Sequence, residues 1–145
     1  MTKPQVNTTN AKSQEEIRAL NQIVAEKICP FCGRDYLETE HKKPILIETE
    51  YWLVTENRWP YEGSKTHHLF IHKKHIEHLA DLSQPAWQEL QTLAVEVTKR
   101  FQIAGATLLM RFGDFRYTGG TVTHLHAQLV SGNPDQDKPV LARVG

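Results

Sequence analysis

A chain of 145 residues, 39% hydrophobic and 23% charged, fits a single soluble globular domain that buries about two thirds of its unfolded surface without disulfide help. Lys and Arg together number 17, as do Asp and Glu, so no basic field draws the chain to nucleic acid or to a membrane. No apolar run approaches the roughly 20 residues that span a bilayer, and Met1-Thr2-Lys3-Pro4 lacks an apolar signal core, which sets a cytoplasmic expectation.

Residues 1–12 are polar and without periodicity and read as a flexible N-terminal tail, with residues 13–145 as one domain. From Ser13 the pattern changes. Ile17, Leu20, Ile23 and Val24 share a helical face up to about Lys27, and Glu15 and Glu16 suit the positive end of the helix dipole. Cys29-Pro30-Phe31-Cys32-Gly33 follows and has the shape of a metal knuckle: two thiolates with two residues between them reach one tetrahedral ion. A redox pair and two unrelated thiols are the competing readings. A polar loop is expected over 34–43.

Pro44–Glu48 and Tyr51–Val54 are strand material joined by a short acidic turn. Asn57-Arg58-Trp59-Pro60-Tyr61 is an aromatic loop, where Trp59 and Tyr61 either cap the core or, with Asn57, receive a nucleobase and ribose. His67–His72 reads as another strand, left through Lys73-Lys74-His75-Ile76. Asp81-Leu82-Ser83 caps a long helix running to about Phe101, with Pro85 in its first turn. Trp87, Leu90, Leu93, Ala94, Val97 and Phe101 form its expected core stripe. Ala106–Phe112 reads as a buried strand, and Gly113–Thr121 as a glycine-containing loop.

Thr123–Val130 alternates polar and apolar residues, the period of a half-buried strand. His124, His126 and Gln128 then share one face, and Leu125, Ala127 and Leu129 point into the core. The polar row is either a solvated strand face or a site. Helix, strands, long helix, strands without regular βαβ alternation predict an α+β fold with a mainly antiparallel sheet.

The segment His124-Leu125-His126-Ala127-Gln128-Leu129-Val130 resembles the signature of the histidine-triad (HIT) superfamily, with Gln128 where the third histidine usually stands. The Gln form is similar to that of the galactose-1-phosphate uridylyltransferase branch and of dinucleoside polyphosphate phosphorylases. Asn57–Tyr61 resembles the family's Asn-x-aromatic-Pro-aromatic segment, His68–His75 its strand exit, and Thr118–Val122 its small-residue approach to the triad. The resemblance covers roughly residues 29–130. It implies a HIT-like antiparallel sheet of about five strands with a long central helix and an N-terminal helix, a nucleotide substrate and a homodimer.

Carried over by position, the resemblance implies His126 as nucleophile toward a nucleotide α-phosphorus, and Gln128 as an amide donor that cannot titrate as a third histidine would. Gly119, Gly120 and Thr121 are implied phosphate contacts, with Asn57, Trp59 and Tyr61 on the nucleoside. In zinc-bearing members the metal takes the CxxC pair, a histidine after the strand exit and the first triad histidine. Here these are Cys29, Cys32, His75 and His124, with His72 and His78 as rival third ligands; His72 stands where the family usually has proline. The sequence departs from the family before the motif, where its common Asn and Gly fall on Gly113 and Phe115. Three functions follow as expectations: a nucleotidyl transferase or phosphorylase, a hydrolase of dinucleoside polyphosphates or nucleoside phosphoramidates, and a catalytically weak, zinc-stabilised nucleotide-binding protein.

Overall fold

The computed structural model describes residues 6–9, 11–26 and 28–145, with the side chains of residues 35 and 36 outside that description. Five strands form one antiparallel sheet in the order β1-β2-β3-β5-β4: β1 Ile45–Glu48, β2 Trp52–Glu56, β3 Ser64–His72, β4 Thr107–Met110 and β5 His126–Gly132. The helices are α1 Gln14–Glu26, α2 Arg34–Thr39 and α3 Gln84–Arg100. This is the expected α+β architecture. Among the described residues no helix is long and apolar enough to cross a membrane.

Register decides what each face of the sheet does, because side chains alternate along a strand. Phe70 on β3 sits opposite Ala127 on β5, and His68 opposite Leu129. These face α3, where Trp52, Val54, Phe70, Ala127 and Leu129 pack with Leu90, Leu93 and Val97 into the main core. The indole of Trp52 donates to the Ala86 carbonyl at 2.8 Å and ties β2 to the first turn of α3. The other face carries Leu53, Leu69 and Ile71, covered by Leu37 of α2 and by Phe31. β5 is thus buried on both faces, and the solvated reading of its polar row falls away.

Ser83 caps α3 as expected, its hydroxyl accepting from the Ala86 amide at 3.3 Å, with Pro85 in the first turn. The buried stripe is Ala86, Leu90, Leu93 and Val97; Trp87 is 52% exposed rather than a core residue. Spacing alone admits both, and the 3-to-4-residue row that meets the sheet starts at Ala86. The polar stretch expected as a loop contains α2, whose Leu37 packs on the sheet and whose Arg34 pairs with Glu48 of β1. β4 is shorter than expected and is not buried: it is the sheet edge, and Leu108 is 45% exposed. Regular pairing of β5 begins only at His126; Leu125 instead donates to the Ile76 carbonyl at 2.7 Å, which leaves His124 on a bend.

Lys27, the expected last residue of the first helix, lies outside the described residues, as do residues 1–5 and 10 of the stretch read as a tail. Val6 of that stretch pairs with Val122 and is buried with Leu20 and Ile23. Ala11 packs against the same cluster, and the Asn7 amide donates to the Thr121 carbonyl at 2.7 Å; apolar residues this sparse show no periodicity in sequence.

His68 is 1% exposed, its ring 4.6 Å from that of Phe101, and neither ring nitrogen has a hydrogen-bond partner. Burial holds its pKa below 6.5. The unfolded chain therefore takes up a proton that the fold refuses, so this contribution to stability is complete above the unfolded value and is lost as pH falls through the lowered folded one. His68→Leu removes both the orphaned nitrogens and the proton uptake. It should gain about 1 kcal/mol near neutral pH, and thermal unfolding should show a shallower loss on the acid side.

Candidate active site and metal-ligand cluster

His126 and Gln128 lie on the sheet face opposite α3, beside Ile71 and Leu69 of β3. They floor a cleft walled by Leu20 and Ile23 of α1, by Phe31, and by the loop through Gly119 and Gly120. The Nδ1 of His126 is 2.8 Å from the carbonyl oxygen of its neighbour His124. Nδ1–H therefore donates, and the lone pair is left on Nε2. The ring of Phe31 stands edge-on to His126 at 5.1 Å. Burial lowers the His126 pKa to about 4, with the nearby Arg111 cation adding to it against the His124 carbonyl. The imidazole is neutral near pH 7, as a nucleophile must be.

A histidine absent from the expected site completes this row. His67 accepts from the Tyr61 amide through Nδ1 at 3.1 Å, which puts its proton on Nε2, and Nε2–H donates to Gln128 Oε1 at 2.7 Å. The Gln128 amide is thereby oriented with its oxygen toward His67 and its NH2 free to face the cleft. Burial holds His67 neutral, its pKa lowered to about 4. The resemblance had matched His68 to the strand exit, but His68 faces α3. In a His67-His68 pair only sheet register says which imidazole meets Gln128.

The other expected site residues divide. Asn57, Trp59, Tyr61, Gly119, Gly120 and Thr121 all line the cleft. Asn57 Oδ1 accepts from the Trp59 amide at 2.8 Å and shapes the aromatic loop. The Tyr61 ring already carries Lys12 Nζ at 4.4 Å and the His67 ring at 4.6 Å. The Gly119 amide is taken by the Phe115 carbonyl and the Gly120 amide by the Thr118 hydroxyl, each at 3.2 Å, so neither points at a phosphate. Gly119 serves close approach instead: it has a φ of +71°, and a Cβ there would lie 2.8 Å from the Arg143 carbonyl oxygen.

Cys29, Cys32, His75 and His124 bring one ligand atom each to a cluster in which all four atoms lie within 4.8 Å of one another. Nδ1 of His75 is 3.1 Å from the Cys32 sulfur, and Nδ1 of His124 is 3.4 Å from that of Cys29. The far nitrogen of each ring has an oxygen partner: His124 Nε2–H donates to the His72 carbonyl at 2.6 Å, and His75 Nε2–H to Glu77 at 3.1 Å. Both tautomers therefore turn an Nδ1 lone pair toward the sulfurs, the arrangement a metal-bound imidazole takes. Burial, with Cys32 beside it, pushes the Cys29 thiol up to about 12, a cost that a bound divalent cation reverses. The rivals stand elsewhere. His72 packs edge-on against Trp52 at 5.1 Å, and His78 accepts from the Ala80 amide at 3.1 Å.

Lys12, Arg58, Arg111 and Arg143 also line the cleft, and none of them stands out in the sequence as a site cation. Arg111, which follows β4, donates to the Thr118 carbonyl at 2.9 Å, to the Tyr61 hydroxyl at 3.1 Å and to the Arg143 carbonyl at 2.8 Å. Lys12 reaches the Trp59 carbonyl at 2.5 Å. Nothing in their composition or spacing sets them apart from solvated surface charges.

A family model described as HIT domain matches residues 38–135, more than half of the chain. Among solved structures, a protein described as a HIT family hydrolase from Clostridium thermocellum is 27% identical, with a TM-score of 0.58 over 78% of this chain and 96% of its own. One described as a Hit-like protein is 25% identical, with a TM-score of 0.56 over 67% of this chain and 93% of its own. A protein described as a Zn-bound histidine triad family protein from Mycobacterium smegmatis shares the fold at 17% identity, with a TM-score of 0.58 over 77% and 79%. No curated protein matches the chain. With the triad strand, the antiparallel sheet and the matched span in agreement, this chain belongs to the HIT domain family.

Proposed function

We propose that this HIT-family chain, acting as one domain from about residue 13, is a nucleotidyl transferase or phosphorylase that forms a covalent nucleotidyl-histidine on His126. The observation that carries the reading is the pinned imidazole: Nδ1–H held by the His124 carbonyl, Nε2 bare and neutral in the cleft. In the first step the Nε2 lone pair forms an N–P bond to the α-phosphorus of a nucleoside polyphosphate. The P–O bond to the distal part breaks, and its electron pair leaves with that part. The imidazole becomes cationic, and the hydrogen bond from Nδ1–H to the His124 carbonyl strengthens as it does. In the second step an acceptor oxygen attacks phosphorus, the N–P electron pair returns to Nε2, and the acceptor's proton passes to solvent.

Gln128 supports transfer over hydrolysis. Its NH2 can hold a non-bridging oxygen, but it cannot exchange protons with water as a third histidine could. This matches the branch that the sequence resembles, the uridylyltransferases and dinucleoside polyphosphate phosphorylases. The second reading is a hydrolase, favoured by the printed description of the 27%-identical relative. The donor set of Cys29, Cys32, His75 and His124 suits structural zinc, two sulfurs and two imidazole nitrogens leaving no position open to water. Such an ion would supply rigidity to His124 and no reacting group. A homodimer in the cytoplasm belongs to the same reading; the uncovered Trp87 and Leu108, on α3 and the edge strand β4, suit a second copy.

Intact-protein mass after brief exposure to diadenosine polyphosphates and UDP-sugars tests the nucleophile. Wild type should gain a nucleotidyl mass and His126→Ala none, with turnover down by roughly a thousandfold or more; unchanged turnover in the variant would sink the assignment. Added phosphate should raise nucleotide release if the chain is a phosphorylase and leave it unaffected if water is the acceptor.

His67→Ala should lower kcat by roughly 10- to 100-fold at unchanged metal content, because the Gln128 amide loses its orientation. In nitrogen-15 spectra of wild type, His67 should stay neutral and Nε2-protonated as pH falls from 8 to 5.5 and titrate only near 4. Elemental analysis should find about one zinc per chain, and chelation or Cys32→Ser should lower the unfolding temperature markedly; a metal-free chain of undiminished stability would remove zinc from the account.

A further inference from the structure

The cleft does not end at His126. A second cavity adjoins it, and the two share Lys12, Glu16, Arg58, Trp59, Tyr61 and Leu141 in their walls; Lys138 lines the outer one, paired with Glu62. Tyr61 stands at the junction with a cation on each approach, Arg111 on its hydroxyl and Lys12 over its ring. Arg58 and Lys138 along these walls are paired with Glu15 and Glu62, whereas Arg111 and Lys12 both bear on Tyr61.

Arg111 is the unusual one. It is half-buried, and its three partners are two carbonyl oxygens and a phenol; among the described residues no carboxylate pairs with it. The neighbouring carboxylate, Glu16, accepts from the backbone amide of Lys12 at 2.6 Å and acts on the Lys12 ammonium rather than on Arg111. An arginine held in place by neutral acceptors keeps its full charge and leaves further N–H groups unengaged, which is how a planar guanidinium is set for a phosphate. Ordinary salt-bridge duty would show a carboxylate. Backbone clamping alone would not require a charge in the cleft.

We propose that Arg111 and Lys12, meeting at Tyr61, form an anion subsite that holds the phosphates beyond the attacked one, so that the preferred substrate leaves as a phosphate-bearing anion rather than as an amine. The assignment rests on the nucleotidyl-transfer reading and names its substrate class. When the P–O bond to the distal part breaks, the departing oxygen takes the electron pair, and phosphates seated at Tyr61 would bring that charge to the two cations. The outer cavity past Lys12 takes the remainder of the leaving group. The residue after β4 thereby becomes a specificity residue for leaving-group charge.

The test uses the purified, metal-loaded protein and two donors, diadenosine tetraphosphate and adenosine 5′-phosphoramidate, with calorimetric titration of inorganic tripolyphosphate beside them. Wild type should bind tripolyphosphate in a salt-sensitive manner. Arg111→Gln and Lys12→Gln should each weaken that binding at least tenfold and lower the ratio of kcat/KM values, tetraphosphate over phosphoramidate, by at least tenfold. Arg111→Gln also loses contacts to the Thr118 and Arg143 carbonyls, so Lys12→Gln, at an exposed position outside the helices, guards against a folding effect. Equal losses on both donors with unchanged tripolyphosphate binding would overturn the subsite and leave Arg111 as a loop clamp. Failure of wild type to bind tripolyphosphate at millimolar concentration would overturn it as well. Arg111-dependent tripolyphosphate binding without turnover of either donor would uphold the subsite and remove the transferase reading instead.

Discussion

The structure turns on one residue that faces two ways. The ring of His124 presents Nδ1 to the cysteine sulfurs, while its backbone carbonyl receives the Nδ1–H of His126. The first contact fixes the knuckle against the sheet; the second fixes the tautomer of the neighbouring imidazole. Neither would hold if β5 ran as a regular strand through His124. The bend at residues 123–125, stitched to Ile76 and His72 by backbone hydrogen bonds, frees the His124 carbonyl from the ladder and aims its ring at the knuckle. Phe31 closes the loop between the two functions: it lies inside the knuckle, and its ring stands edge-on to both His124 and His126.

Polar groups inside a protein must be fully partnered or they are costly. The cleft row obeys this, each nitrogen of His67 and the Nδ1 of His126 having a named partner, so the valence that remains is the one the proposed chemistry would use. The α3 side does not obey it at His68, where both ring nitrogens are buried without partners. One strand, β3, thus supplies adjacent imidazoles of opposite standing: His67 is bonded at both nitrogens on the cleft side, and His68 fills space against Phe101.

Much of this could be read from residues in order. The cap at Ser83 and Pro85 announces α3, and the Val, Ile and Trp runs announce β1 and β2, because each rests on local stereochemistry. What escaped depends on neighbours distant in sequence. Leu108-Leu109-Met110 has the composition of a buried strand, and only the strand order makes it an edge. Leu37 packs α2 on the sheet from within a polar stretch, and Val6 pairs with Val122 from a stretch without periodicity. Trp87 misled because helical spacing leaves the edge of a stripe undefined. Arg111 and Lys12 carried no local signal at all, since a cation in a cleft and a cation in water are spelled alike.

The site's parts come from widely separated places: Cys29 meets His124 across 95 positions, and His67 meets Gln128 across 61. Contacts of such sequence separation form slowly, because loop closure must precede any gain from them. During synthesis the knuckle, the aromatic loop and β3 emerge well before the strand that unites them. β3 waits with one flank unpaired until β5 arrives between it and β4. The cleft is therefore among the last features this chain can acquire, and a nascent chain lacking β5 exposes the sheet edge most in need of a chaperone.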